Sequence, residues 1–175
     1  MSLTLAAING LDAGEFVKAL CAIYEDSPWV AEAAFAGRPF ASVDALQAAL
    51  RAAVEKAGEA RQVALIRAHP DLAGKAARAG ALGEHSTREQ AGLGLDRLSA
   101  EEFDRFHRLN DAYKACFGFP FVIAVRRHTK DTVLAAFEVR LAHDRPVEIA
   151  EALANIHIIA ELRLRDLVAI GPRRS

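Results

Sequence analysis

The fold class follows from one stretch of sequence, residues 99–117, which is SAEEFDRFHRLNDAYKACF. It opens with Ser99 and Glu102, the Ser-x-x-Glu spacing of a helix capping box. Its large apolar side chains then recur at helical spacing, at Phe103, Phe106, Leu109, Tyr113 and Phe117. We predict a long helix that ends near Cys116 and buries this stripe in the protein core.

The remaining segments follow the same logic, with capping residues at their starts and Gly or Pro mostly at their joints. Predicted helices begin at Asp12, Ser27, Ser42 and Gln62, and later at Thr129 and after Pro146, and a short one lies between Gly74 and His85. No repeat or low-complexity linker divides the chain. We therefore predict one all-α domain over residues 1–175, a helical bundle of roughly eight helices.

One segment does not fit a helix. Residues 118–125, GFPFVIAV, have the composition of a buried strand, but no second convincing strand is available to pair with them. We expect residues 119–125 to be extended, and their backbone polar groups then need other partners. A hydrogen-bonding ligand is one possibility; side chains, water or a short pairing are the others.

Composition excludes several classes of protein. The chain has 175 residues, 52% of them hydrophobic, and a net charge of -1, so no nucleic acid or anionic membrane is expected as a partner. The first ten residues lack the basic start and long apolar run of a signal peptide, and no run of about 18 apolar residues is present. Cys21 and Cys116 form no disulfide framework, which favours a soluble protein of the reducing cytoplasm.

His69 is the first candidate for chemistry. It follows an apolar helical pattern that ends at Ala68, and Pro70 disfavours helical geometry at His69 itself. An imidazole with a pKa near 6.5 is suited to moving protons at neutral pH. The alternative is a histidine that interacts only with the carbonyl end of its own helix.

Arg163 is the second candidate, because it falls within the apolar arc of the last helix. A guanidinium in such a stripe needs an anionic partner, either a protein carboxylate or the carboxylate of a substrate. Ile158 and Leu162 lie on the opposite side of the helix. A helix with two apolar faces is either central to the fold or part of a subunit contact.

The third candidate is the cluster of Ser86, Glu89 and Gln90. Ser86 and Glu89 have capping-box spacing, which is the simpler interpretation. A helix start with a hydroxyl, a carboxylate and an amide also suits an amide-rich, anionic small molecule. The six histidines show no metal-binding spacing, and no phosphate-binding or nucleophile-elbow motif is present, so no metal or cofactor is expected.

Four of these features in chain order resemble one family: His69-Pro70-Asp71-Leu72-Ala73, Ser86-x-x-Glu89-Gln90, Phe117 to Ile123, and Leu162-Arg163-Leu164. The family is 2-oxo-4-hydroxy-4-carboxy-5-ureidoimidazoline (OHCU) decarboxylase, whose members complete urate oxidation to (S)-allantoin. The resemblance spans nearly the whole chain and implies an all-helical, cofactor-free carboxy-lyase, typically a homodimer.

The resemblance also implies roles for individual residues. His69 would be the catalytic histidine and Glu89 its acidic partner. The substrate pocket would be lined by Pro70, Ser86, Gln90, Arg163 and the backbone of Phe121, Val122, Ile123, Ala124 and Val125. Two other classes stay open: a non-catalytic helical module that binds ureides, which would not need His69, and a metal-dependent amidohydrolase, which would use several histidines.

Overall fold

The computed structural model describes residues 3–74 and 84–168. Its helices are α1 (Leu5–Gly10), α2 (Ala13–Leu20), α3 (Pro28–Ala34), α4 (Val43–Lys56), α5 (Glu59–Ala68), α6 (Glu84–Gly92), α7 (Ala100–Phe117), α8 (Lys130–Arg140) and α9 (Arg145–Leu167). In these two ranges the only extended pairing is an isolated bridge between Leu3 and Val168. The all-α prediction is confirmed. The short helix predicted between Gly74 and His85 falls mostly outside the described residues.

The predicted helix starts are confirmed at four positions by side-chain caps. Asp12 and Ser99 each form a complete capping box, with Glu15 and Glu102 respectively. Ser42 and Thr129 accept hydrogen bonds from the N–H groups three residues later. Ser27 precedes α3 without a side-chain cap, and Pro28 at the first helical position sets the backbone there.

Three predictions about helix starts are corrected. Helix α5 begins at Glu59, three residues before Gln62. The chain forms a helix at Leu5–Gly10, capped by Thr4, where none was predicted. Ser86 and Glu89 both lie inside α6, whose first described residue is Glu84, so Ser86 is not the N-cap of that helix. The capping-box interpretation of this pair is therefore wrong, because the helix begins before the serine.

The chain divides into two compact units. One contains residues up to 65 together with those from 157 onward, and it buries Ile8, Phe16, Leu46 and Leu164. The other contains residues 66–156 and buries the aromatic side chains of Phe106, Tyr113, Phe119, Phe121 and Phe137. The sequence-based expectation of a single domain stays a prediction.

Helix α7 organises the second unit. The Phe106, Tyr113 and Phe117 side chains of its predicted stripe are buried, whereas those of Phe103 and Leu109 are only half-buried. Gly118 ends the helix in the left-handed conformation, with φ 76°, which a residue with a Cβ rarely adopts. The chain then enters the apolar segment, where Phe121 packs 5.2 Å from the Tyr113 ring, centroid to centroid.

No helix in the described ranges is long and apolar enough to cross a membrane.

Candidate active site

His69 lies where α5 ends, as predicted. The helix closes at Ala68, and the His69 N–H donates to the Ile66 carbonyl at 3.2 Å. The residue is only 7% exposed, so it is not the solvated histidine that a simple helix-end role implies. Pro70 follows it, and Asp71 to Gly74 form a turn in which Ala73 adopts a left-handed φ of 52°.

One face of α6 lies against this turn. Ser86, Glu89 and Gln90 are spaced i, i+3 and i+4, so they share one side of the helix. Gln90 is buried, and its side-chain oxygen accepts from the Ala73 N–H at 3.0 Å. Its side-chain nitrogen donates to the Asp71 carbonyl at 3.3 Å. This clamp joins the face that carries Glu89 to the turn that follows His69.

Gln90 therefore has a structural task that the sequence did not reveal. Its carbonyl oxygen and one of its amide hydrogens bind the protein backbone, which leaves the second amide hydrogen for another acceptor. Ser86 is buried on the same face, and Glu89 is half-buried. The face thus presents a hydroxyl, a carboxylate and an amide side by side.

The apolar segment lies in the same unit and also approaches α6. Residues 121–124 have neither helical nor strand pairing, as predicted, but Val125 begins a 3-10 turn, Val125–Arg127, which packs against α6. The segment's side chains are buried from Phe121 to Val125. The prediction of an extended run as far as Val125 is corrected at that last residue, because the Ala124 and Val125 carbonyls accept turn hydrogen bonds.

Side chains satisfy part of this segment's backbone. The Ala124 N–H donates to Asn155 Oδ1 at 3.1 Å, and the Val122 carbonyl accepts from Arg140 Nη1 at 2.7 Å. Among the residues the structure describes, the N–H groups of Phe121, Val122, Ile123 and Val125 have no hydrogen-bond partner. Both alternatives drawn from the sequence thus have support, since protein side chains hold two backbone groups of the segment and four N–H groups stay available.

A buried ion pair underlies that arrangement. Arg140 and Glu148 are 4% and 0% exposed, and their side chains are in contact at 2.9 Å. The Tyr113 hydroxyl donates to the Glu148 carboxylate, and burial together with this bond raises the pKa of Tyr113. The Arg140 guanidinium also lies 4.3 Å from the centre of the Phe121 ring. This hydrogen-bond network connects α7, α8 and α9 to the apolar segment.

Sequence reasoning missed this network although a signal existed. Arg140 lies seven residues after Val133 and three after Phe137, and this spacing places it on the buried face of α8. The same argument had singled out Arg163. Asn155 gave no comparable signal, because an asparagine within a helix is not distinctive.

Arg163 lies in the other unit. It is 2% exposed, and its Nη1 donates to Glu25 Oε2 at 2.7 Å and to the Ala22 carbonyl at 3.2 Å. Of the two partners considered for this guanidinium, a protein carboxylate is the one observed. Its predicted contact with a substrate carboxylate stays a prediction.

The described residues hold no group of three or more His, Cys, Asp or Glu side chains placed to bind a metal ion. What the second unit offers instead is a buried imidazole, a carboxylate, a hydroxyl and backbone amides. These define a small all-α protein whose candidate site provides acid–base and hydrogen-bonding chemistry.

Comparison with known proteins then identifies the family. The sequence profile of OHCU decarboxylase matches residues 9–165. The 2-oxo-4-hydroxy-4-carboxy-5-ureidoimidazoline decarboxylase of Haloferax volcanii is 47% identical over 164 residues, covering 94% of this chain and 95% of that protein. A putative decarboxylase of the same name from Homo sapiens is 36% identical over 167 residues, covering 95% and 96%.

A solved structure agrees. The crystal structure of (S)-allantoin synthase superposes with a TM-score of 0.76 at 33% sequence identity. The match covers 95% of this chain and 54% of that one, so this chain spans about half of that protein. The chain belongs to the OHCU decarboxylase family.

Proposed function

We propose that this protein decarboxylates OHCU to (S)-allantoin, the last step of urate oxidation in purine breakdown. Family membership supports the reaction, and the similarity to (S)-allantoin synthase supports the handedness of the product. The observation that carries the site assignment is the Gln90 clamp. It joins the helix face of Glu89 to the turn that begins at His69.

The reaction needs an electron sink and a proton. When the bond from the ring carbon to the carboxylate breaks, CO₂ leaves and the electron pair moves toward the adjoining carbon–nitrogen double bond. The imine nitrogen takes up a proton, which leaves an enol at the ring carbon that carried the carboxylate. The enol hydroxyl then loses its proton and becomes a carbonyl, while the former imine carbon takes up a proton and becomes the stereocentre of allantoin. Because the substrate contains its own sink, the protein has to orient the carboxylate out of the imine plane and deliver the proton to one face.

We assign these tasks to the second unit. His69 and Glu89 transfer protons, since imidazole and carboxyl side chains are the groups that most often do so in enzymes. Ser86, Pro70 and the remaining amide hydrogen of Gln90 contact the ring and its ureido group. The backbone of residues 121–125 holds the polar edge of the substrate, and every N–H group of this run except that of Ala124 is available as a donor.

The test of the site uses His69→Asn and Glu89→Gln, with OHCU generated immediately before use. Each change should reduce kcat by roughly a hundredfold or more, the scale of a lost general acid or base. The double variant should be little worse than the worse single variant, because residues that act in one step are not additive. His107→Asn and Glu84→Gln, which alter a half-exposed histidine and an exposed carboxylate, are matched controls. Near-wild-type turnover in both single variants would remove this mechanism.

We also propose a homodimer that works in the cytoplasm. Ile158 and Leu162, one turn apart on α9, are half-exposed, and an apolar pair at such spacing is suited to a subunit contact. Both cysteines, Cys21 and Cys116, are free and exposed, which suits a reducing compartment. Sedimentation that gives a monomer at micromolar concentration would contradict the dimer.

A further inference from the structure

The turn that follows His69 is held from a second side, by α7. Asn110 Nδ2 donates to the Leu72 carbonyl at 2.7 Å, and Lys114 Nζ contacts Asp71 Oδ2 at 2.6 Å. Asn110 and Lys114 are four residues apart, so both project from the same face of the helix. Together with Gln90, they fix all three residues from Asp71 to Ala73.

This turn needs such support. Ala73 occupies the left-handed region with φ 52°, a conformation that costs free energy for a residue with a Cβ. Strained backbone persists only where the surrounding contacts determine it, and here those contacts come from Gln90 and Asn110. The strained residue lies four positions after His69, within the turn that these contacts hold.

We propose that Asn110 and Lys114 are positioning residues for the decarboxylation, acting through the turn to orient His69. The proposal rests on the proposed function. Pro70 is the only residue between His69 and Asp71, and its ring fixes its own φ angle. A displacement of Asp71 is therefore passed to His69 through a stiff link rather than absorbed by a flexible one.

At Lys114, an effect on catalysis can be measured separately from an effect on folding stability. Its side chain is 39% exposed and that of Asp71 is 29% exposed, and ion pairs so close to solvent contribute little to folding. Removing the pair should therefore leave the fold intact while the His69 turn loses one of its attachments. Lys114 also lies 3.9 Å from Asp111, a 67% exposed carboxylate that is not part of the turn.

The experiment measures kcat, KM and Tm with fresh OHCU for Asp71→Asn, Lys114→Met and the matched control Asp111→Asn. Asp71→Asn and Lys114→Met should each lower kcat roughly tenfold, since small misplacements of a catalytic group have effects of this order or larger. KM and Tm should stay close to wild type. Asp111→Asn should match wild type in all three, and Lys114→Arg should recover most of the lost kcat. Asn110→Leu should lower kcat further, with some loss of Tm because Asn110 is buried.

Two results would overturn the proposal while the proposed function stands. One is an unchanged kcat in Asp71→Asn and Lys114→Met. The other is an equal loss in Asp111→Asn, which would indicate a general electrostatic effect around Lys114. A wild-type protein that does not accelerate OHCU decarboxylation would overturn the proposed function and this proposal with it, so the two failures are distinguishable.

Discussion

Arg140 and Arg163, the two buried arginines in the part of the chain that the structure describes, both have carboxylate partners. The free-energy cost of separating such a pair decides what a substitution does. Arg163 contacts Glu25, whose side chain is 14% exposed, and Arg140 contacts Glu148, whose side chain is fully buried. Removing one member of such a pair takes away a close opposite charge from the other in a poorly hydrated environment. Stability measurements on these arginines therefore report on the partner as much as on the arginine.

For Arg163→Met we expect a loss in the free energy of unfolding on the order of 3 kcal/mol, because Glu25 loses its 2.7 Å contact with the guanidinium in a poorly hydrated environment. Urea denaturation measures this free energy of unfolding. Arg165→Met is the matched control on the same helix. Its side chain is 53% exposed and pairs with Glu161 and Asp44 at the surface, so the loss should be under about 1 kcal/mol. Unchanged stability in Arg163→Met with a large rise in KM would make Arg163 a substrate-binding residue instead.

His157 should make the protein sensitive to acid. Burial, followed by the positive charge of Arg51, lowers the pKa of His157 from 6.5 to about 4, and its Nδ1 lies 2.9 Å from the Tyr24 hydroxyl. The unfolded chain therefore binds the proton more readily than the folded protein does. This contribution to stability is fully present above pH 6.5 and is lost as the pH falls toward 4.

The measurement is the urea midpoint of wild type and His157→Gln between pH 7 and pH 4. The difference between the two proteins should shrink as the pH falls, because the variant has no imidazole to protonate. A difference that stays constant over this range would show that the titration of His157 is not coupled to folding.

At the scale of elements, the apolar segment depends on side chains from other parts of its unit. Asn155 of α9 accepts from the Ala124 N–H, and Arg140 of α8 donates to the Val122 carbonyl. A sheet would have satisfied these groups with a neighbouring strand. Here side chains from two helices bind these two backbone groups, and other backbone N–H groups of the segment stay available for a ligand.

Asn155→Leu should lower the free energy of unfolding by about 1–3 kcal/mol, because the buried Ala124 N–H loses its acceptor. It should also raise KM for OHCU if residues 121–125 bind the substrate. Glu151→Gln is the control: it alters the carboxylate that accepts from Asn155 Nδ2 and leaves the bond to Ala124 in place. Equal effects in the two variants would contradict a specific role for the Asn155 oxygen.

Sequence patterns predicted elements well where a single helix determines its own ends. Ser99 with Glu102 and Asp12 with Glu15 have all their capping partners within four residues, so the boundary is encoded locally. The capping interpretation failed at Ser86, because a hydroxyl inside the first turn of α6 gives the same spacing as one before it. Residues 121–125 were recognised as irregular, but their partners are 18 to 31 residues away in sequence and could not be assigned.

At the scale of the whole molecule, the candidate site could be predicted only from the order of the four motifs along the chain. His69, Ser86, Glu89 and residues 121–125 each allow a purely structural interpretation, yet together they match one family, and the profile match over residues 9–165 agrees. What the sequence did not provide is the support around them. Gln90 belongs to one of these motifs, but its bonds to the turn, and those of Asn110 and Lys114, depend on the packing of α6 and α7.

The most direct test of the central claim is the circular dichroism of allantoin formed when the protein is mixed with freshly generated OHCU. Spontaneous decay gives racemic allantoin, which has no such signal. We predict the signal of the (S)-enantiomer, growing at a rate proportional to protein concentration and unaffected by exhaustive chelation. Racemic allantoin formed at the uncatalysed rate would contradict the account.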